Sequence, residues 1–187
     1  MDAIELMMEE HKNIKTMLKI IRKVSFGIIK GKTVDYEEFN VIIDFVRNYA
    51  DKHHHQKEED YLFSKMVEEL GSTGEKLVKN GMLVEHDLGR LYMRNLKEAL
   101  KELKEGNEEA ILNVIANAIS YSNHLLEHIR KEDNVIYKFA RRELKEETIE
   151  EINKECEAFE NKTEDVRNKY KEVVDSLAKK YNIVEEI

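Results

Sequence analysis

The stretch DKHHHQKEEDYLF, Asp51 to Phe63, sets three consecutive histidines directly ahead of two glutamates. Successive residues of an α-helix turn by about 100°, so three neighbouring imidazoles cannot share one direction. A histidine and a glutamate four places later do share a face, and the stretch holds two such pairs, His54 with Glu58 and His55 with Glu59. Which pair faces inward depends on the helices around it.

Apolar residues recur at a 3-4 spacing along almost the whole chain, the mark of helices with one buried stripe. The spacing predicts a first helix through Ile4, Met7, His11, Ile14 and Ile21, and a second from Tyr36 to Leu70 that carries the histidines. Gly71 and Gly74 mark a break. A third helix runs from Met82 to Leu103 and a fourth from Ile111 to Phe139. A fifth, from Ile149 to Leu177, has one apolar seam that includes Cys156. The expected fold is all-α: an antiparallel up-down-up-down four-helix bundle over residues 1–144, then an additional amphipathic helix within 145–187. That helix docks on the bundle or pairs two chains as a homodimer.

Composition agrees and narrows the function classes. The 187 residues include no proline, no tryptophan and only 7 glycines, which suits long helices with short connections. A net charge of −8 with 37% charged residues argues against a nucleic-acid partner. There is no apolar run long enough for a membrane span and no signal-peptide pattern. The single cysteine excludes a disulfide framework, and the expected location is the cytoplasm.

Polar residues interrupt the apolar stripes at His11, His86, His128 and Glu132. One buried histidine is unremarkable, but several together with a buried glutamate need a common partner. An internal repeat orders them. His86 follows His11 by 75 positions, His128 follows His54 by 74, and Glu132 follows Glu58 by 74. HQKEEDYLF (His55–Phe63) thereby lies over IRKEDNVIY (Ile129–Tyr137), with Lys57 over Lys131 and Glu59 over Asp133. The repeat selects His54 from the triplet, because His55 aligns with Ile129. His55 and Glu59 become outer or additional ligands, and His53 a solvated neighbour.

The resulting set is His11, His54, Glu58, His86, His128 and Glu132. Four imidazoles and two carboxylates suit two metal ions bridged by the glutamates, with iron favoured and manganese or zinc as alternatives. No histidine follows a glutamate by three places, which removes the ExxH pairs of ferritin-like bundles, and HExxH is absent.

The pieces EEHKNI, HHHQKEEDYLF, MLVEHDLGR and LLEHIRKEDNVIYKFA resemble the hemerythrin-like HHE cation-binding family. The resemblance implies a non-haem di-iron centre inside four helices, held by the same six residues. It also implies binding of, or reaction with, O2, nitric oxide or peroxide. Two departures stand out. LFS (Leu62–Ser64) and IYK (Ile136–Lys138) replace the family's LFP, so both helices should continue. Arg90 stands where oxygen carriers have a second histidine on the third helix, leaving six protein ligands instead of seven.

Smaller features complete the expectations. His124, one turn before His128, is an outer group or an extra ligand. Tyr49 and Tyr121 are core residues, or donors to a metal-bound oxygen species. Gly89 either lets helices approach closely or opens a gap for a small molecule. The enzymatic reading stays open against a metal or gas sensor, or an iron-storage or iron-donor module. A sensor would need a separate output protein, and a donor would be expected to carry an extra cysteine-bearing N-terminal domain.

Overall fold

The computed structural model describes residues 1–183; the last positions of the predicted C-terminal segment, 184–187, lie outside the described residues. Among the described residues the chain is helical throughout, with no strand. Helix α1 (Ala3–Ile29) begins where the Asp2 side chain accepts the Glu5 amide at 3.0 Å. It ends just before Gly31, whose φ of +87° an L side chain would resist. Asp35 caps α2 (Tyr36–Phe45) in the same way, accepting from the Glu38 amide at 3.0 Å.

Beyond α2 the helix widens rather than stops. A π-helical segment, π1 (Val46–His55), carries the histidine triplet, and π2 (Glu58–Phe63) follows before α3 (Ser64–Leu77). The predicted break falls at Gly71, where φ is +54° and ψ −132°. Then come π3 (Val78–Met82) and α4 (Leu83–Lys104). Helix α5 (Ala110–Lys131), π4 (Glu132–Ile136) and α6 (Tyr137–Glu143) form the fourth predicted helix.

The predicted fifth helix is interrupted. It comprises α7 (Glu146–Lys162) and α8 (Glu164–Lys180), separated at Thr163 with φ −117° and ψ 18°. Thr163 Oγ1 donates to the Phe159 carbonyl at 2.9 Å, a local bond that competes with continuation of the helix. The apolar seam is buried against the chain's own bundle: Ile152 and Cys156 join one core cluster, Tyr170 and Val174 the other.

Those two clusters explain where the site lies. One gathers Ile14, Ile21, Phe39, Phe45, Leu96, Val114 and Leu125 among others; the second gathers Ala3, Met7, Phe63, Met66, Met82, Ile136 and Tyr137. Each helix passes from one cluster to the other across a buried polar layer. On α1 His11 lies between Met7 and Ile14; on the second helix His54 and Glu58 lie between Ala50 and Leu62. The apolar layers exclude water from both sides, so the polar layer must satisfy itself or bind a cation. Among the described residues no helix is long and apolar enough to cross a membrane.

Candidate metal centre

The layer brings together two groups of potential ligands, all buried. His11, His54, Glu58 and Glu132 offer ligand atoms within 4.8 Å of one another, and so do His55, Glu58, His86 and His128. Glu58 belongs to both. Its Oε2 lies 3.6 Å from His54 Nε2 and 3.6 Å from His86 Nε2. Glu132 spans the groups with its two oxygens: Oε2 is 3.3 Å from His11 Nε2, and Oε1 is 2.9 Å from His128 Nε2. Each carboxylate therefore faces a histidine of both groups.

Each imidazole is oriented from behind. His11 Nδ1 is bonded to Asp133 at 2.6 Å, His54 Nδ1 to Glu10 at 2.8 Å, His86 Nδ1 to Glu59 at 2.7 Å and His128 Nδ1 to Glu85 at 2.9 Å. A carboxylate on Nδ1 fixes the tautomer, leaves Nε2 as the free donor atom and raises its basicity. The Nε2 atoms of His11 and His54, Glu58 Oε2 and both Glu132 oxygens make no hydrogen bond although all are buried. Unsatisfied polar atoms converging from three helices fit cation ligation.

The electrostatics agree with that fit. Burial and the facing Glu132 charge push the Glu58 carboxyl well above its usual range. Two carboxylates in one dry site cannot both be charged without a cation between them. Burial, aided by repulsion from His11, lowers His54 to about 4, keeping it neutral as a ligand must be.

The triplet departs from expectation. His53 is not solvated: it is 1% exposed, between the Tyr49 ring at 5.4 Å and the Phe159 ring at 5.5 Å. His55, too, points inward, stacked on His86 with ring centroids 3.9 Å apart. The reason is the π-helix, whose i to i+5 bonds turn the chain by less than 100° per residue, so adjacent side chains can share an interior. α7 then covers the remaining side. His55 brings the second group a third imidazole, where the sequence leaves only two.

Arg90 lies outside both groups, tied to Asp51 at 2.8 Å and Glu59 at 2.7 Å. His124 is in neither group and binds the Glu85 carbonyl at 2.8 Å. Tyr49 accepts from Asn13 at 3.0 Å. Tyr121 and Gly89 line a cavity of about 410 Å³ that reaches His55 and His86, with Arg47, Arg94 and Lys97 among its other walls. A Cβ on Gly89 would meet only the Tyr121 ring, at 3.6 Å, so no close helix approach requires glycine there.

Sequence reasoning missed Glu10, Glu85, Tyr137 and Glu160. Glu10 and Glu85 each stand immediately before a stripe histidine, in EEH and VEH, and that shared dipeptide was the available signal. Tyr137 donates to Glu58 Oε1, and its place in the repeat opposite Phe63 disguised it as core.

A family model described as hemerythrin HHE cation-binding domain matches residues 2–140. The chain belongs to this family. The hemerythrin match covers α1 to α6 up to Ala140 and therefore every residue of both ligand groups, while α7 and α8 lie beyond it. Searches among characterised proteins and solved structures returned no significant match. Membership of the hemerythrin family makes this a metal-binding helical protein, and the two His/Glu groups are where the metal can be held.

Proposed function

We propose that the chain is a non-haem di-iron protein, an up-down-up-down four-helix bundle with a C-terminal extension over residues 145–187, that binds or reacts with O2, nitric oxide or peroxide. The observation that carries this reading is the sharing of Glu58 by two buried ligand groups while Glu132 reaches a histidine of each. One metal would be held by His11, His54 and the two glutamates, the other by His55, His86, His128 and the same glutamates. Mixed imidazole and carboxylate donors without cysteine suit iron better than structural zinc.

Iron, when bound, supplies redox chemistry and a coordination position for a small ligand. The chain supplies the rest. Asp133, Glu10, Glu59 and Glu85 hold the imidazoles in orientation, and the two apolar clusters keep bulk water out. Tyr137 keeps its hydroxyl proton and donates it in a hydrogen bond to Glu58 Oε1, inside the site. The cavity beside Gly89 gives a route from solvent to the His55 and His86 side. The first ligand group has two imidazoles against three in the second, so a metal held by His11 and His54 would have fewer imidazole donors than one held by His55, His86 and His128. The lone buried thiol of Cys156 accords with a cytoplasmic setting.

The test is metal content together with optical spectra of anaerobically reduced protein, before and after O2, nitric oxide or peroxide. Two irons per chain and ligand-dependent charge-transfer bands are expected. One tightly held zinc with spectra indifferent to all three would overturn the reading.

A further inference from the structure

The internal repeat extends past the ligands to the groups behind them. In the first half Glu10 bonds His54 Nδ1 at 2.8 Å and accepts from Lys57. In the second half Glu85 bonds His128 Nδ1 at 2.9 Å and accepts from Lys131. Across the halves, His11 bonds Asp133 and His86 bonds Glu59, which are repeat equivalents. The centre is thus close to twofold symmetric in chemistry as well as in sequence.

Besides the difference between His55 and Ile129 at the ligands, the symmetry fails behind them at the lysine. The Lys131 side chain is 49% exposed, whereas Lys57 is fully buried. Lys57 Nζ donates to Glu160 Oε1 at 2.5 Å, lies 5.7 Å from the centre of the Phe159 ring and stands 3.4 Å from His53 Nε2. Glu10, His53 and Glu160 by themselves have the donors and mutual distances of a cation site, and the lysine ammonium occupies it. The repeat equivalent of His53 is Glu127, which is exposed. Glu160 has no equivalent at all: it comes from α7, beyond the span of the hemerythrin domain.

We propose that Glu160 and Lys57 are positioning residues through which the C-terminal helices make the two halves of the metal centre unequal. The inference rests on the two-metal reading above. Lys57 divides its charge between Glu10 and Glu160, so Glu160 sets how much of the Glu10 carboxylate remains available to the His54 Nδ1–H. A stronger acceptor there makes His54 the more basic ligand. The metal on His11 and His54 is thereby tuned by a helix that touches neither imidazole's donor atom, while the metal on His86 and His128 has a solvent-exposed lysine in the same place and is not.

The experiment is stepwise removal of ferrous iron by a competing chelator, under anaerobic conditions, from the full chain and its variants. Wild type should release its two irons in separable steps. Glu160→Gln keeps the side-chain shape and leaves Lys57 and Glu10 as a neutral pair. It concentrates the lysine on Glu10 and should weaken one step about tenfold while leaving the other in place. Arg167→Gln acts on the outer face of the molecule and removes the 3.0 Å bond to Glu160 Oε2. It returns charge to Lys57 and should shift the same step in the opposite direction. Glu157→Gln, at an exposed position of α7 outside the network, should change neither. If both iron-release steps of Glu160→Gln superimpose on wild type, even with a lowered melting temperature, Glu160 is merely structural and the inference fails. If wild type holds no pair of irons, the two-metal reading itself is what fails.

Discussion

Tyr137 donates its hydroxyl to Oε1 of Glu58, the carboxylate common to both ligand groups, while its ring stacks on His11 at 5.7 Å with a 7° interplanar angle. One side chain thus fixes a shared carboxylate and backs an imidazole. Tyr137→Phe keeps the stacking and removes the donor. A hydrogen bond to a charged group contributes about 1.5–3 kcal/mol, so metal affinity should fall about tenfold or more while the helical content stays unchanged. Metal titration alongside circular dichroism checks both halves of that statement.

The three histidines of the triplet should separate cleanly. His54→Ala removes a proposed ligand of the first group and should abolish metal binding there. His53→Ala touches no proposed ligand atom and should retain both metals, yet it empties a buried space against Tyr49 and Phe159 and should cost about 1–3 kcal/mol of stability. Elemental analysis with chemical denaturation reads the two effects independently, and metal loss in His53→Ala with retention in His54→Ala would refute the assignment.

His55 carries the widest departure from the repeat. If it completes the second group, His55→Ala leaves the His11 and His54 metal in place and brings the metal content towards one per chain. Glu58→Ala, which removes the group shared by both sites, should bring it towards zero. Equal metal content in His55→Ala and wild type would make His55 a packing residue against His86.

Gly89 offers a graded test of access. Gly89→Ala places its methyl at ordinary contact distance from Tyr121 and should be neutral or stabilising, since glycine costs a helix about 1 kcal/mol relative to alanine. Gly89→Leu projects into the cavity that leads to His55 and His86. Stopped-flow binding of nitric oxide should slow severalfold in the leucine variant alone; unchanged rates in both would exclude this route.

Metal removal should itself destabilise. Without a cation, Glu58 and Glu132 face each other in a dry layer, and a ligand present at 100 times its dissociation constant stabilises by about 2.7 kcal/mol. Thermal unfolding with and without excess chelator should therefore show a clear drop in melting temperature, and identical curves would argue that no ion is held there.

What the sequence determined by itself was periodic. The 3-4 spacing defines the helices, Gly71 marks the kink, and the 74–75-residue repeat points to His11, His54, Glu58, His86, His128 and Glu132. These are local or repeated signals, carried by one helix face at a time. Tertiary structure decided the remainder. The inward turn of His53 and His55 depends on a π-helix that a 3.6-residue period does not anticipate, because its hydrogen bonds form only where packing sustains them. Glu160 reaches Lys57 across 103 residues of sequence, and no spacing rule connects them. The pairing exists because α7 runs over the polar layer, where a buried lysine must find its carboxylates wherever the fold brings them.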